Sequence, residues 1–170
     1  MIHSRKTLTF PLVLVLAACS GGGSLDFTQV VNIQPGDAVG QELTGAFSVH
    51  ADVTSNDCLS TDLEIPAQGA AVSMDVELVQ DNGTLAMSGF DVAVRGSVNF
   101  FVNDTFEMGG ADIVDRGGGV GNILRLMRVR GRFSGVDTFS GSAEEQLTGQ
   151  IAFQKIDCFL TYQFTDAIRK

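Results

Sequence analysis

Histidine, cysteine and clustered charge are the residues of this chain with chemistry to offer, and they are few. A Ser-His-Asp relay needs an imidazole to take the serine proton. His50 is the candidate in the body of the chain, but it lies with Thr44, Ser48 and Asp52 on the polar side of an alternating run. That pattern reads as an exposed strand residue. Calcium needs only oxygen ligands. Asp57, Asp62 and Glu64, or Asp112 and Asp115, offer oxygens without the regular spacing of a calcium loop. Gly117–Gly119 resembles a phosphate-cradling loop only superficially, since no Lys-Ser or Lys-Thr follows it. The densest charge feature is Arg125, Arg128, Arg130 and Arg132. Alternation puts Arg128, Arg130 and Arg132 on one strand face, opposite Met127, Val129 and Phe133. Such a strip either grips an anionic partner or pairs with Asp and Glu on neighbouring strands, each pair worth up to about 1 kcal/mol. No catalytic set, metal-ligand spacing or cofactor motif emerges. The expectation is a protein that is not an enzyme and holds no metal or cofactor.

The elements that position these residues are strands. From Leu43 the period is two: Leu43, Gly45, Phe47, Val49, Ala51 and Val53 face one way, and polar residues the other. Val72, Met74, Val76 and Leu78 alternate in the same manner. Asp81-Asn82-Gly83 is a hairpin signal, because Asn and Gly tolerate the backbone such turns require. Further strands are predicted around Leu85 and Met87, Phe90 to Val94, Val98 to Val102, Phe106 to Val114, and Ile123 to Phe133. Short stretches follow at Thr138 to Ser140 and Leu147 to Phe153, and a last strand at Cys158 to Phe164. Turns are expected at Arg95-Gly96-Ser97, Asn103-Asp104, 115–121 and Ser134 to Asp137, and an acidic connector at 142–146. Phe27, Val30, Val31 and Ile33 suggest a short strand before Pro35, and no segment of the body reads as a helix.

Eight to ten short strands at roughly ten-residue spacing indicate an all-β fold, an antiparallel sandwich or a small closed barrel. Hairpin-length connections favour a small antiparallel up-and-down β-barrel, whose closure removes exposed edges. A membrane-spanning barrel does not fit, because the outward positions carry Asp, Glu, Gln and Ser and form no continuous apolar band. Phe47, Val76, Phe100, Phe133 and Phe153 face inward in this reading and would fill a narrow barrel.

The N-terminus has a different character. Arg5 and Lys6 precede an apolar run from Leu8 to Leu16, too short for a bilayer span of roughly twenty residues. It reads as a removable secretory signal. Leu16-Ala17-Ala18-Cys19, followed by Ser20 and glycines, resembles the lipobox of bacterial lipoproteins. The resemblance implies cleavage before Cys19 and lipidation of that cysteine, palmitate included. Ser20 in place of Asp implies sorting to the outer membrane. On this reading residues 1–18 are the signal peptide, 19–42 the lipidated N-terminus and tether, and 43–170 the barrel. With Cys19 lipidated, Cys58 and Cys158 remain, and in an oxidising envelope they are expected to form a disulfide. Metal ligation or a redox pair are the other readings, and a separation of a hundred residues suits neither.

Loss of Arg5 and Lys6 takes the formal charge from −9 to −11. That balance argues against nucleic acid and against charge-driven binding to anionic lipid. The body is also similar to lipocalins in its short hairpins, without their Gly-X-Trp signature. It is similar to transferrin-binding-protein-type surface barrels in the order of Ala143-Glu144-Glu145 and the Gly149 to Phe153 strand. The expected function is a lipid-anchored envelope barrel acting as a binding or interaction module. The membrane would be held through the lipid, and the partner would be an envelope protein, a glycan or a small apolar ligand. The alternative is a lipocalin-like carrier of such a ligand.

Overall fold

The computed structural model describes residues 24–58, 65–100, 104–115, 122–151 and 154–170. The predicted signal peptide, Cys19, residues 116–121 and Phe153 lie outside the described residues, as do Asp62, Glu64, Val102 and Asn103. Eight strands form a closed antiparallel barrel in sequence order. They are β1 (Gly45–Asn56), β2 (Ala71–Asp81), β3 (Thr84–Ser88), β4 (Val94–Asn99), β5 (Thr105–Asp115), β6 (Asn122–Phe133), β7 (Thr138–Ile151) and β8 (Gln154–Arg169). β8 pairs with β1 from Phe47↔Arg169 to Asn56↔Leu160 and closes the ring. The all-β class, the up-and-down order and the disulfide are as the sequence predicts.

The two ends of the barrel differ. At the end where β2 turns into β3 and β6 into β7, phenylalanine fills the interior. The Phe139 ring lies 5.3 Å from Phe47, 5.6 Å from Phe106, 5.5 Å from Phe133 and 5.9 Å from Phe164. Gly131 and Gly141 face each other across β6 and β7. A Cβ on Gly131 would stand 2.5 Å from the Phe106 ring, and one on Gly141 2.9 Å from that of Phe164. The small residues therefore make room for the rings. Residues 36–43 cap this end: Gly36 N donates to Gly83 O at 2.8 Å and Leu43 N to the buried Gln80 Oε1 at 3.0 Å. Arg169 seals the seam, donating to the carbonyls of Thr44, Glu42 and Val136 at 2.6 to 2.8 Å. Its guanidinium also lies 5.0 Å from the Phe47 ring centre.

Four local expectations are corrected. Phe27–Val31 is a short helix, α1, and not a strand. Asp26 caps it, accepting from Gln29 N at 3.0 Å, and Val30 is buried against the outer wall beside Leu25 and Leu126. Arg95-Gly96-Ser97 is the interior of β4 and not a turn. Gly96 is there because a Cβ would meet the Glu107 carbonyl at 2.0 Å, a close approach of neighbouring backbones. The reversal comes earlier, around Gly89, whose φ is +108°. Residues 142–146 are no connector: β7 runs unbroken through them, joining the two short stretches into one strand. Phe100 is only partly buried, packed at the edge of the core.

Candidate binding cup

The other end of the barrel, the mouth, is where β1, β3, β5 and β7 finish. On β6 the inward positions are odd, so Ile123, Arg125, Met127, Val129 and Phe133 share one face. Arg125 thus projects into the barrel. On β7 the same alternation turns Phe139, Ala143, Glu145 and Leu147 inward, and on β8 it turns Cys158, Leu160, Tyr162 and Phe164 inward. Register puts Glu145 opposite Met127 and Tyr162 opposite Ala143, so the three polar side chains meet in one layer.

Their geometry is a relay of hydrogen bonds. Arg125 Nε donates to Glu145 Oε1 at 2.7 Å, and Nη2 stands 2.5 Å from the same oxygen. The Tyr162 hydroxyl donates to Glu145 Oε2 at 3.1 Å. Both Glu145 oxygens are therefore engaged, as a carboxylate with a side chain only 5% exposed requires. Arg125 has a second carboxylate: Asp91, on the β3–β4 connection, reaches Nη2 at 2.7 Å while its own side chain stays 73% exposed.

Burial shifts the phenol. Removal from water raises the Tyr162 pKa well above the usual tyrosine value, and the Glu145 charge and hydrogen bond raise it further. The phenol is a fixed neutral donor. Burial pulls the Arg125 pKa down, but Glu145 and then Asp91 outweigh it, and the net shift is upward. Over this layer lies a cup of about 230 Å³, with Val72, Met74, Phe90 and Met127 among its apolar walls. By volume it holds roughly eight waters. The arrangement offers one oriented guanidinium and one phenol between apolar walls, which suits binding and orientation of a small polar group.

The predicted sites fall elsewhere. Cys58 and Cys158 are bonded, with Cα atoms 4.9 Å apart, and tie the start of the β1–β2 connection to β8 near the mouth. Asp57 reinforces this clasp by accepting a short hydrogen bond from Phe159 N. Asp57 lies beside both sulfurs, but these are bonded to each other. Asp112 accepts from Ile113 N at 2.8 Å. His50 is exposed and shares a hydrogen bond with Ser73 Oγ at 2.7 Å across β1 and β2. Arg128, Arg130 and Arg132 lie on the outer wall. Arg130 Nε donates to Glu107 Oε1 at 3.1 Å, and Arg128 Nε stands 3.3 Å from the same oxygen. Arg132 forms no ion pair among the described residues.

Sequence reasoning missed the cup, although the signal was present. Arg125 shares the odd parity of Met127, Val129 and Phe133, so a charge stood on the apolar face. Glu145 was hidden by its reading as part of an acidic connector, when Ala143, Glu145 and Leu147 alternate as a strand. The distance between Arg125 and Asp91 in the chain gave no hint that they meet. No family model, curated protein or solved structure matches the chain.

Proposed function

We propose that the protein is a lipid-anchored binding module of the bacterial envelope, held through Cys19 and working through the cup without bond-making chemistry. The observation that carries this is the asymmetry of the barrel interior. One half is packed with phenylalanine; in the other, Ile123, Leu147 and Leu160 pack beside the disulfide on one side, and a cup bordered by Arg125, Glu145 and Tyr162 opens on the other. A core built for stability alone has no need of a buried ion pair, since apolar residues of similar volume serve as well or better. The groups at the cup suit holding over reacting: the phenol keeps its proton and Glu145 is occupied on both oxygens. The reading of the leader supports the anchor and the outer membrane as its place. Between Cys19 and Leu25, the first residue packed on the wall, the chain reaches at most about 20 Å, so a lipid at Cys19 would keep the barrel beside the membrane.

The alternative, a lipocalin-like carrier of a small apolar ligand enclosed in the barrel, is the weaker reading. The free volume of about 230 Å³ lies below the several hundred typical of ligand pockets, and the filled half offers no room for an acyl tail.

Native mass spectrometry of the protein purified from its own cell tests the module. An extra small mass that is lost on denaturation, and lost from a variant with the cup blocked by Met74→Trp, is the expected result. A bare protein from every preparation speaks against a small ligand. Cys19→Ser should release the protein from membranes, and continued sedimentation with the membrane fraction would rule out the anchor.

A further inference from the structure

Arg125 has two carboxylate partners of opposite character. Glu145 belongs to a strand, is buried, and is held from behind by Tyr162. Asp91 belongs to a connection outside the strands, two residues after Gly89, whose φ is +108°, and is mostly exposed. The first contact is part of the wall. The second is exchangeable, because Asp91 can return to water at little cost. Asp91 thus places a carboxylate on the guanidinium at the rim of an apolar cup.

We propose that the cup binds a small monocarboxylate with a compact apolar body, and that Asp91 is the internal carboxylate this ligand displaces. The inference rests on the cup being a ligand site and names the class of ligand. Three observations carry it. Exchange of one carboxylate for another leaves the charge beside Arg125 unchanged, so no buried charge is stranded. Guanidinium geometry matches a carboxylate with two parallel hydrogen bonds. The walls, with Val72, Met74, Phe90 and Met127, suit a short aliphatic or single-ring body. An amine would instead meet the Arg125 cation at the floor, and a neutral apolar molecule would leave the Arg125–Asp91 contact in place.

Tyr162 is the sole tyrosine and there is no tryptophan, so tyrosine fluorescence reports the cup alone. The purified full protein is titrated with hexanoate, benzoate, hexylamine and hexanol, followed by this fluorescence and by calorimetry. Saturable binding of a carboxylate, with hexylamine and hexanol at least ten-fold weaker, is expected. Asp91→Asn should tighten carboxylate binding about five-fold, the factor set by losing an exposed competing ion pair. The paired variant Arg125→Gln with Glu145→Gln keeps the layer neutral and hydrogen-bonded and should abolish binding without unfolding the barrel. Binding of hexylamine or hexanol in preference would leave the cup as a ligand site and overturn the carboxylate assignment. Weaker carboxylate binding in Asp91→Asn would overturn the displacement. Silence from all four probes would overturn both the assignment and the cup.

Discussion

At the scale of single residues, Glu145 is the pivot of the cup. Its two oxygens hold Arg125 and Tyr162, so its removal strands a buried guanidinium with only the rim carboxylate of Asp91 beside it. Glu145→Ala is expected to cost about 3 kcal/mol, as loss of one member of a buried pair does. Replacing both Arg125 and Glu145 by methionine should cost less than Glu145→Ala, because the desolvation penalty disappears with the pair and only the Tyr162 hydroxyl is left without its acceptor. Denaturant melts of the single and double variants check this, and equal losses in both would refute it. Tyr162 gives a second test. Its raised pKa means the fold favours the neutral phenol. The stability it contributes is thus complete below the ordinary tyrosine pKa of about 10 and declines as pH rises above that value. Absorbance of tyrosinate should stay absent in the native protein beyond pH 10 and return to the ordinary titration in denaturant. A native titration near 10 would show that the phenol is not sequestered.

At the scale of elements, the strands near the capped end depend on Phe139. It sits on β7 and touches rings from β1, β5, β6 and β8. Phe139→Ala should cost about 3–5 kcal/mol, a loss that includes the cavity left behind. Phe139→Leu should cost clearly less, since most of the volume is kept. Thermal melts of the two variants decide it, and equal losses would indicate that ring packing is not what holds this end. The elements also show where local sequence misleads. Gly96 and the 142–146 segment carry the residue types of turns, but neighbouring strands determine their conformation. Gly96 serves inter-strand approach, and Glu144 and Glu145 are strand residues facing opposite ways. Helix α1 has five residues, too few for periodicity to register. It is held by the Asp26 cap and by burial of Val30 on a wall that sequence alone does not reveal.

For the whole molecule, two long-range ties close the barrel. Arg169 binds the last strand to the first at the capped end, and Cys58–Cys158 clasps the mouth across a separation of 100 residues. Loss of the disulfide through the paired variant Cys58→Ser with Cys158→Ser should lower stability by about 4–5 kcal/mol in the chain-entropy account. Chemical denaturation of the oxidised protein against this variant measures it. The Cys58→Ser and Cys158→Ser pair should also leave the cup walls in place, so probe binding should survive below the melting point.

Much of this protein was legible in its amino-acid order. Strict alternation and hairpin-length gaps imply antiparallel strands, eight or so of them favour a barrel over a sandwich without deciding closure, and two cysteines left in the body imply their bond. The first two are consequences of local periodicity and chain length, and the third of composition together with an oxidising compartment. The inward charges were not legible in the same way. Whether Arg125 and Glu145 lie on buried faces depends on register across three strands, and the Asp91 contact depends on which loop rises over that layer. Such pairings are decided by the closure of the ring, which brings residues distant in sequence into one low-dielectric space and leaves each charge only the partners found there.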